Sequence, residues 1–227
     1  MTMRTHFNER LQGLRTQVVS MGMSANDMVQ KSVDSIVNAD PSLANEVVKA
    51  DDTLDRLERE LLLETALIIA REGPVASDLK LLVSTLGIVS EIESVADHAV
   101  KLARRGTKLG SLFPSELKGT LRELCDAAKH QFTSSLKLYM EYDVELARSI
   151  VSDDDHIDGR YAIARNGVLE LIKADPANAR AMLRTIEIFH ALEHVADHAV
   201  AISKRMQVIH EQPFQPSEPE PSSEGLS

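Results

Sequence analysis

The chain has no tryptophan, one cysteine, and only 10 glycines and 8 prolines in 227 residues, with aromatic side chains at 4%. A β-sandwich or barrel needs frequent Gly- and Pro-bearing turns and strands rich in aromatic and β-branched residues, so that class is excluded. A single cysteine excludes a disulfide framework and any multi-cysteine zinc site, which suits a reducing compartment. A basic excess is also missing: Lys+Arg is 25 against Asp+Glu 35, a net charge of −10. That argues against nucleic acid and against an anionic membrane surface as partner. No apolar run approaches the roughly 20 residues that span a bilayer. The opening Met-Thr-Met-Arg-Thr-His lacks the apolar core of a signal peptide, so the cytoplasm is expected.

What is present is an ordinary globular share of apolar (43%) and charged (26%) residues, arranged with helical periodicity. Pro41, Pro74, Pro114 and Pro176 divide the chain, since proline lacks an N–H and clashes with the preceding turn. Apolar residues recur at three–four spacing between these breaks. They predict helices over about Arg4–Ala39, Asp40 to Gly73, Val75–Arg105 (ended by Gly106 and Gly110), a fourth after Pro114-Ser115 with its stripe from Leu117 to Leu138, Asp143–Lys173 and Ala177–Ile209. The sixth stripe is read as Leu183, Ile188, Leu192, Val195, Ala199 and Ile202. Six long helices with short connections predict an all-α fold of antiparallel neighbours. A Pro-, Ser- and Glu-rich tail, 211–227, is expected to be disordered.

The chain also repeats itself. Glu93-Ser-Val-Ala-Asp97-His-Ala-Val returns as Glu193-His-Val-Ala-Asp197-His-Ala-Val, 100 residues on. Asp51-Asp-Thr-Leu-Asp55 returns as Asp154-Asp-His-Ile-Asp158, 103 residues on. The fold is therefore read as two tandem, pseudo-repeated three-helix bundles, 4–106 and 114–209, each with its own core.

The repeated acids are placed as a group. Acids four apart share one helix face. Asp55 lies 18 residues before Gly73 and Glu93 lies 19 after Pro74; Asp51 and Asp97 lie 22 before and 23 after. In an antiparallel hairpin the two pairs are level within about 1.5 Å. In the second copy Asp158 and Glu193 are both 17 residues from the Asp175-Pro176 turn, and Asp154 and Asp197 both 21. Four facing carboxylates repel one another unless a hard cation takes their oxygens as ligands. One metal site per copy follows: Asp51, Asp55, Glu93 and Asp97, then Asp154, Asp158, Glu193 and Asp197. The plainer alternative is a solvated acidic face. His98 and His198 point about 100° away from the preceding acid and read as surface histidines or outer partners of the metal.

At these residues the chain resembles the PhoU family, the bacterial regulators of phosphate uptake, over about residues 4–209. The Ala-Asp-His-Ala-Val runs lie close to the family signature, with Ser-Val-Ala and His-Val-Ala where Arg-Ile-Gly often follows the Glu. The resemblance implies a cytosolic, non-enzymatic and often dimeric negative regulator of phosphate homeostasis. It implies a link between the phosphate ABC transporter, through its ATPase (PstB-like), and a sensor histidine kinase (PhoR-like). It also implies iron or zinc at the acid motifs, in some members as multinuclear iron clusters.

The alternative function is a diiron-type carboxylate-bridged metalloenzyme, which needs Glu-x-x-His on paired helices. Glu187-Ile-Phe-His190 matches once, but its counterpart is Gly87-Ile-Val-Ser90, so the match is read as accidental. Cys125 sits among Leu121, Leu124 and Ala128 and reads as a core thiol. Lys101, Arg104, Arg105 and Lys108, echoed by Lys204 and Arg205, read as cations completing helix C-termini, with a direct phosphate site as the alternative.

Overall fold

Residues 3–211 are described by the computed structural model. The helices are α1 (Met3–Asn38), α2 (Pro41–Glu72), α3 (Ala76–Leu109), α4 (Lys118–Met140), α5 (Val144–Ala174) and α6 (Ala179–Glu211), with short 3₁₀ turns at Gly110–Leu112, Ser115–Leu117 and Pro176–Asn178. There is no strand among the described residues. The expected tail lies outside the described residues from 212 onward.

The start signals are local. Asp40 accepts a hydrogen bond from the Ser42 amide at 2.8 Å, with Pro41 in the first turn of α2. Asp143 accepts one from Leu146 at 2.7 Å and opens α5 in the same way. Such caps satisfy amides that have no partner inside the helix. Gly73, with φ +54°, closes α2 in the left-handed region. Ala39 adopts a similar φ of +52° between α1 and α2 without glycine's freedom.

One expected boundary moves. Gly106 does not end the third helix; α3 runs on to Leu109 and ends at Gly110, φ +54°. Gly106 is instead a buried contact, where a Cβ would strike the stem of Ile36 on α1. The glycine is there for the close approach of α1 and α3, not for a turn. The sixth stripe also shifts by one: Leu183 is exposed and Met182, the counterpart of Leu82, is buried. Elsewhere the offset of 100 holds in the core, with Ile88 and Ile188, Ile92 and Leu192, Val95 and Val195, and Ala99 and Ala199 all buried.

Helices α1–α3 pack together, as do α4–α6, giving the two tandem bundles. The cores, however, are not separate. α3 packs on α6 as extensively as it does on α2, and α1 packs along α4, so one continuous apolar cluster runs through both repeats. Both seams are antiparallel. Along α1 and α4, Arg15 reaches the Tyr139 and Met140 carbonyls, Asn26 meets Thr133, Gln30 meets Lys129, and the Val37 carbonyl accepts from Lys118. Along α3 and α6, Arg205 lies over Gly87, His98 meets His194 and His198, and Arg105 pairs with Glu187. Repeats joined in this way are related by a pseudo-twofold axis, with α2 and α5 on the outside.

Candidate metal centres

In the first repeat the helix register sets the four acids near enough to repel one another, though no three of them bring ligand atoms within 4.8 Å of one another. Asp51 and Asp55 on α2 and Glu93 and Asp97 on α3 are all half-buried. Burial raises the Asp51 carboxyl above its ordinary value, and Asp55 and Asp97 raise it further against a lowering from Arg104. Glu93 is raised by burial first, then by Asp97, Glu58, Asp55 and Asp51. Glu58 is a fifth acid that the motif arithmetic missed. It stands three residues beyond Asp55 on the same face of α2, and Ser90 Oγ donates to it at 3.4 Å. Its signal was the continuation of the acid spacing along the helix.

The second repeat sets Asp154, Asp158, Glu193 and Asp197 near one another on α5 and α6, again with no three of these acids converging on one point. Burial raises Asp154, with Asp158 and Asp197 adding to it, while Gln131 and Lys204 pull it down. Glu193 is raised by burial and then by Asp197, with His194 opposing and Asp158 and Asp154 adding. His190, Glu193 and His194 each place a ligand atom within 4.8 Å of the other two. Sequence reasoning set His190 aside together with Glu187. The structure separates them: Glu187 pairs with Arg105 at 3.1 Å, while His190 turns to Glu193. The overlooked signal was His190-Ala-Leu-Glu193-His194, whose imidazoles one turn apart share a face, the spacing of a zinc-binding helix.

The histidines after the second acids are not free surface groups. His98 lies in the α3–α6 seam with its ring centroid 5.0 Å from that of His194 and 5.5 Å from that of His198. Burial, helped by Lys101 and the two histidines, lowers its pKa to about 3, so it stays neutral. His198 Nδ1 lies 2.8 Å from Glu91 Oε2, and Arg205 reaches the other Glu91 oxygen at 2.9 Å. The His198 hydrogen bond is the main cause that holds Glu91 below the usual carboxylate range, against its burial. The basic residues likewise do more than complete helix ends. Arg105 and Arg205 tie the repeats together, Lys101 pairs with Asp97 at 3.2 Å, and Arg104 and Lys204 sit by the acid clusters.

The comparisons with known proteins point one way. The family model for the PhoU domain matches this chain twice, at residues 18–106 and 121–206. The chain is 30% identical over 200 residues to the phosphate-specific transport system accessory protein PhoU homolog of Pseudomonas putida, covering 87% of this chain and 78% of that one. It is 31% identical over 199 residues to the homolog from Rhizobium meliloti, covering 87% and 84%. Among solved structures, PhoU from Pseudomonas aeruginosa superposes with a TM-score of 0.85 at 28% identity, covering 90% of this chain and 99% of that one. The phosphate transport system regulatory protein PhoU from Streptococcus pneumoniae gives 0.82 at 20% identity, covering 92% and 99%, and shares the fold.

Proposed function

Because this chain belongs to the PhoU family, we propose that it is a cytoplasmic regulator of phosphate uptake that acts as a metal-binding adaptor and not as an enzyme. The observation that carries the metal half of this reading is the duplicated acid cluster. Both repeats hold four carboxylates on facing turns with acids pushed above their ordinary values. The donor set can hold a metal, since Glu193 Oε2 is buried without a hydrogen-bond partner and carboxylates serve as ligands of zinc and of bridged di-iron centres, often beside imidazole. Asp51, Asp55, Glu93 and Asp97, with Glu58, would hold one centre, and Asp154, Asp158, Glu193 and Asp197 the other. The ion supplies positive charge that offsets the repulsion and clamps α2 to α3 and α5 to α6.

The regulatory half is supported by relatives named as phosphate transport accessory proteins. The partners we assign are the transporter ATPase (PstB-like) and a sensor histidine kinase (PhoR-like), docked on the bundle surfaces of a homodimer. Tagged full-length chain should retain both partners in a pull-down, with retention changing between high and low phosphate. Deleting the gene should derepress uptake in high phosphate; unchanged uptake and reporter output refutes the regulatory role. Natively purified protein should contain metal. A metal content near zero, together with no thermal shift on adding Fe³⁺, Zn²⁺ or Mn²⁺, refutes the metal half.

A further inference from the structure

The two acid clusters are not copies of each other. At the repeat offsets, Glu58, Ser90 and Ser94 of the first cluster are replaced by Tyr161, His190 and His194 in the second, while all eight motif positions stay acidic. We propose that the chain carries two chemically unequal centres. The first, the acid cluster of the reading above, offers oxygen donors only. The second is a mixed imidazole–carboxylate site for a borderline transition metal of the zinc type, held by His190, Glu193 and His194. This rests on the metal reading above and adds a donor class to it.

The geometry is specific. His190 Nε2 lies 3.6 Å and His194 Nδ1 3.5 Å from the same oxygen, Glu193 Oε2. Neither contact is a hydrogen bond, and that oxygen is buried without any partner. Ligands about 2.0–2.2 Å from a tetrahedral zinc stand roughly 3.3–3.6 Å apart, so these two separations match two edges of such a tetrahedron, and the third pair lies within 4.8 Å. Asp197 Oδ2 lies 3.0 Å from His194 Nδ1 as a hydrogen-bond partner and stands outside the converging set, so three protein ligands leave the fourth position open. Tyr161 stacks on the His190 ring with centroids 5.6 Å apart and the planes 27° from parallel, which steadies the imidazole. Imidazole favours zinc, copper, nickel and iron, whereas carboxylate and hydroxyl oxygens favour magnesium, calcium and manganese. The first cluster offers only oxygens from Glu58, Ser90 and its four acids.

The test uses full-length protein stripped by chelator and loaded with Co²⁺ as a probe for zinc. Proton NMR of the wild type should show exchangeable, hyperfine-shifted imidazole N–H signals. They should vanish in His190→Ala/His194→Ala and persist in Asp55→Asn/Asp97→Asn. Zn²⁺ calorimetry should resolve two classes of site, with the histidine variant weakening one by more than about tenfold, the scale set by losing even an outer partner. His190 is exposed and His194 half-buried, so both variants should keep their helical circular dichroism. If wild type binds Co²⁺ without imidazole signals, or the histidine variant binds Zn²⁺ as wild type does, the mixed site is overturned while the carboxylate reading stands. If wild type binds neither ion, both readings fall.

Discussion

Asp51 shows what a metal-binding acid does to a protein that lacks its metal. Burial and three neighbouring acids, Asp55, Asp97 and Asp52, raise its carboxyl above the ordinary value. A raised acid favours the neutral form in the fold, so its ionised form at neutral pH works against folding. Asp51→Asn should therefore stabilise chelator-treated protein by about 0.5 kcal/mol, the scale of one like-charge helix pair, seen as about 1–2 °C in a thermal melt. The same variant should lose most of the stabilisation that Mn²⁺ gives the wild type. A lower melting point in chelator would show that Asp51 is held by something other than a cation. Cys125 makes the opposite case. It is buried, and burial pushes its thiol up to about 12. Since the thiolate is the reactive species, a disulfide reagent at pH 8 should leave the native protein unlabelled and titrate one thiol per chain in guanidinium. At this scale the acids were legible because they recur with matched spacing, and Cys125 because its neighbours are apolar. The histidines were not. Whether an imidazole faces solvent, a metal or another repeat depends on the α3–α6 seam, and local spacing is silent about that seam.

At the scale of the helix, two backbone positions carry distinct costs. Gly106 lets α3 lie against Ile36. Gly106→Ala gains helix propensity of about 1 kcal/mol but forces a β-branched neighbour aside. The overpacking should dominate, lowering stability by about 1–2 kcal/mol in urea melts. Ile36→Ala should cost less in the Gly106→Ala background than in the wild type, a coupling that separate defects would not show. Ala39 is the reverse. It holds φ +52°, which costs an L-residue roughly 1–2 kcal/mol. Ala39→Gly should raise stability by about 0.5–1 kcal/mol once the greater freedom of unfolded glycine is counted. The helix starts were readable from Asp40-Pro41 and Asp143, where the cap is a property of the sequence itself. The end of α3 was not, because a glycine that permits close packing and a glycine that ends a helix look alike until the partner helix is known.

At the scale of the molecule, the expectation of two separate cores fails for a reason outside each repeat. The stripes on α1, α3, α4 and α6 are wide enough to serve two neighbours each, and the second neighbour belongs to the other repeat. The duplicated unit was visible as a sequence offset. The antiparallel joining was not, since it depends on which surplus apolar face meets which. Melting should therefore be a single cooperative transition with equal calorimetric and van't Hoff enthalpies. Two resolved transitions, one per repeat, would contradict the shared core.

The seams of α1 on α4 and α3 on α6 have the self-complementary form of a contact between two like subunits. In build, the molecule is a symmetric pair soldered into one chain by the short stretch from Gly110 to Leu117. Severed there, the halves should find each other again in solution, and a first half left alone should pair with its own kind.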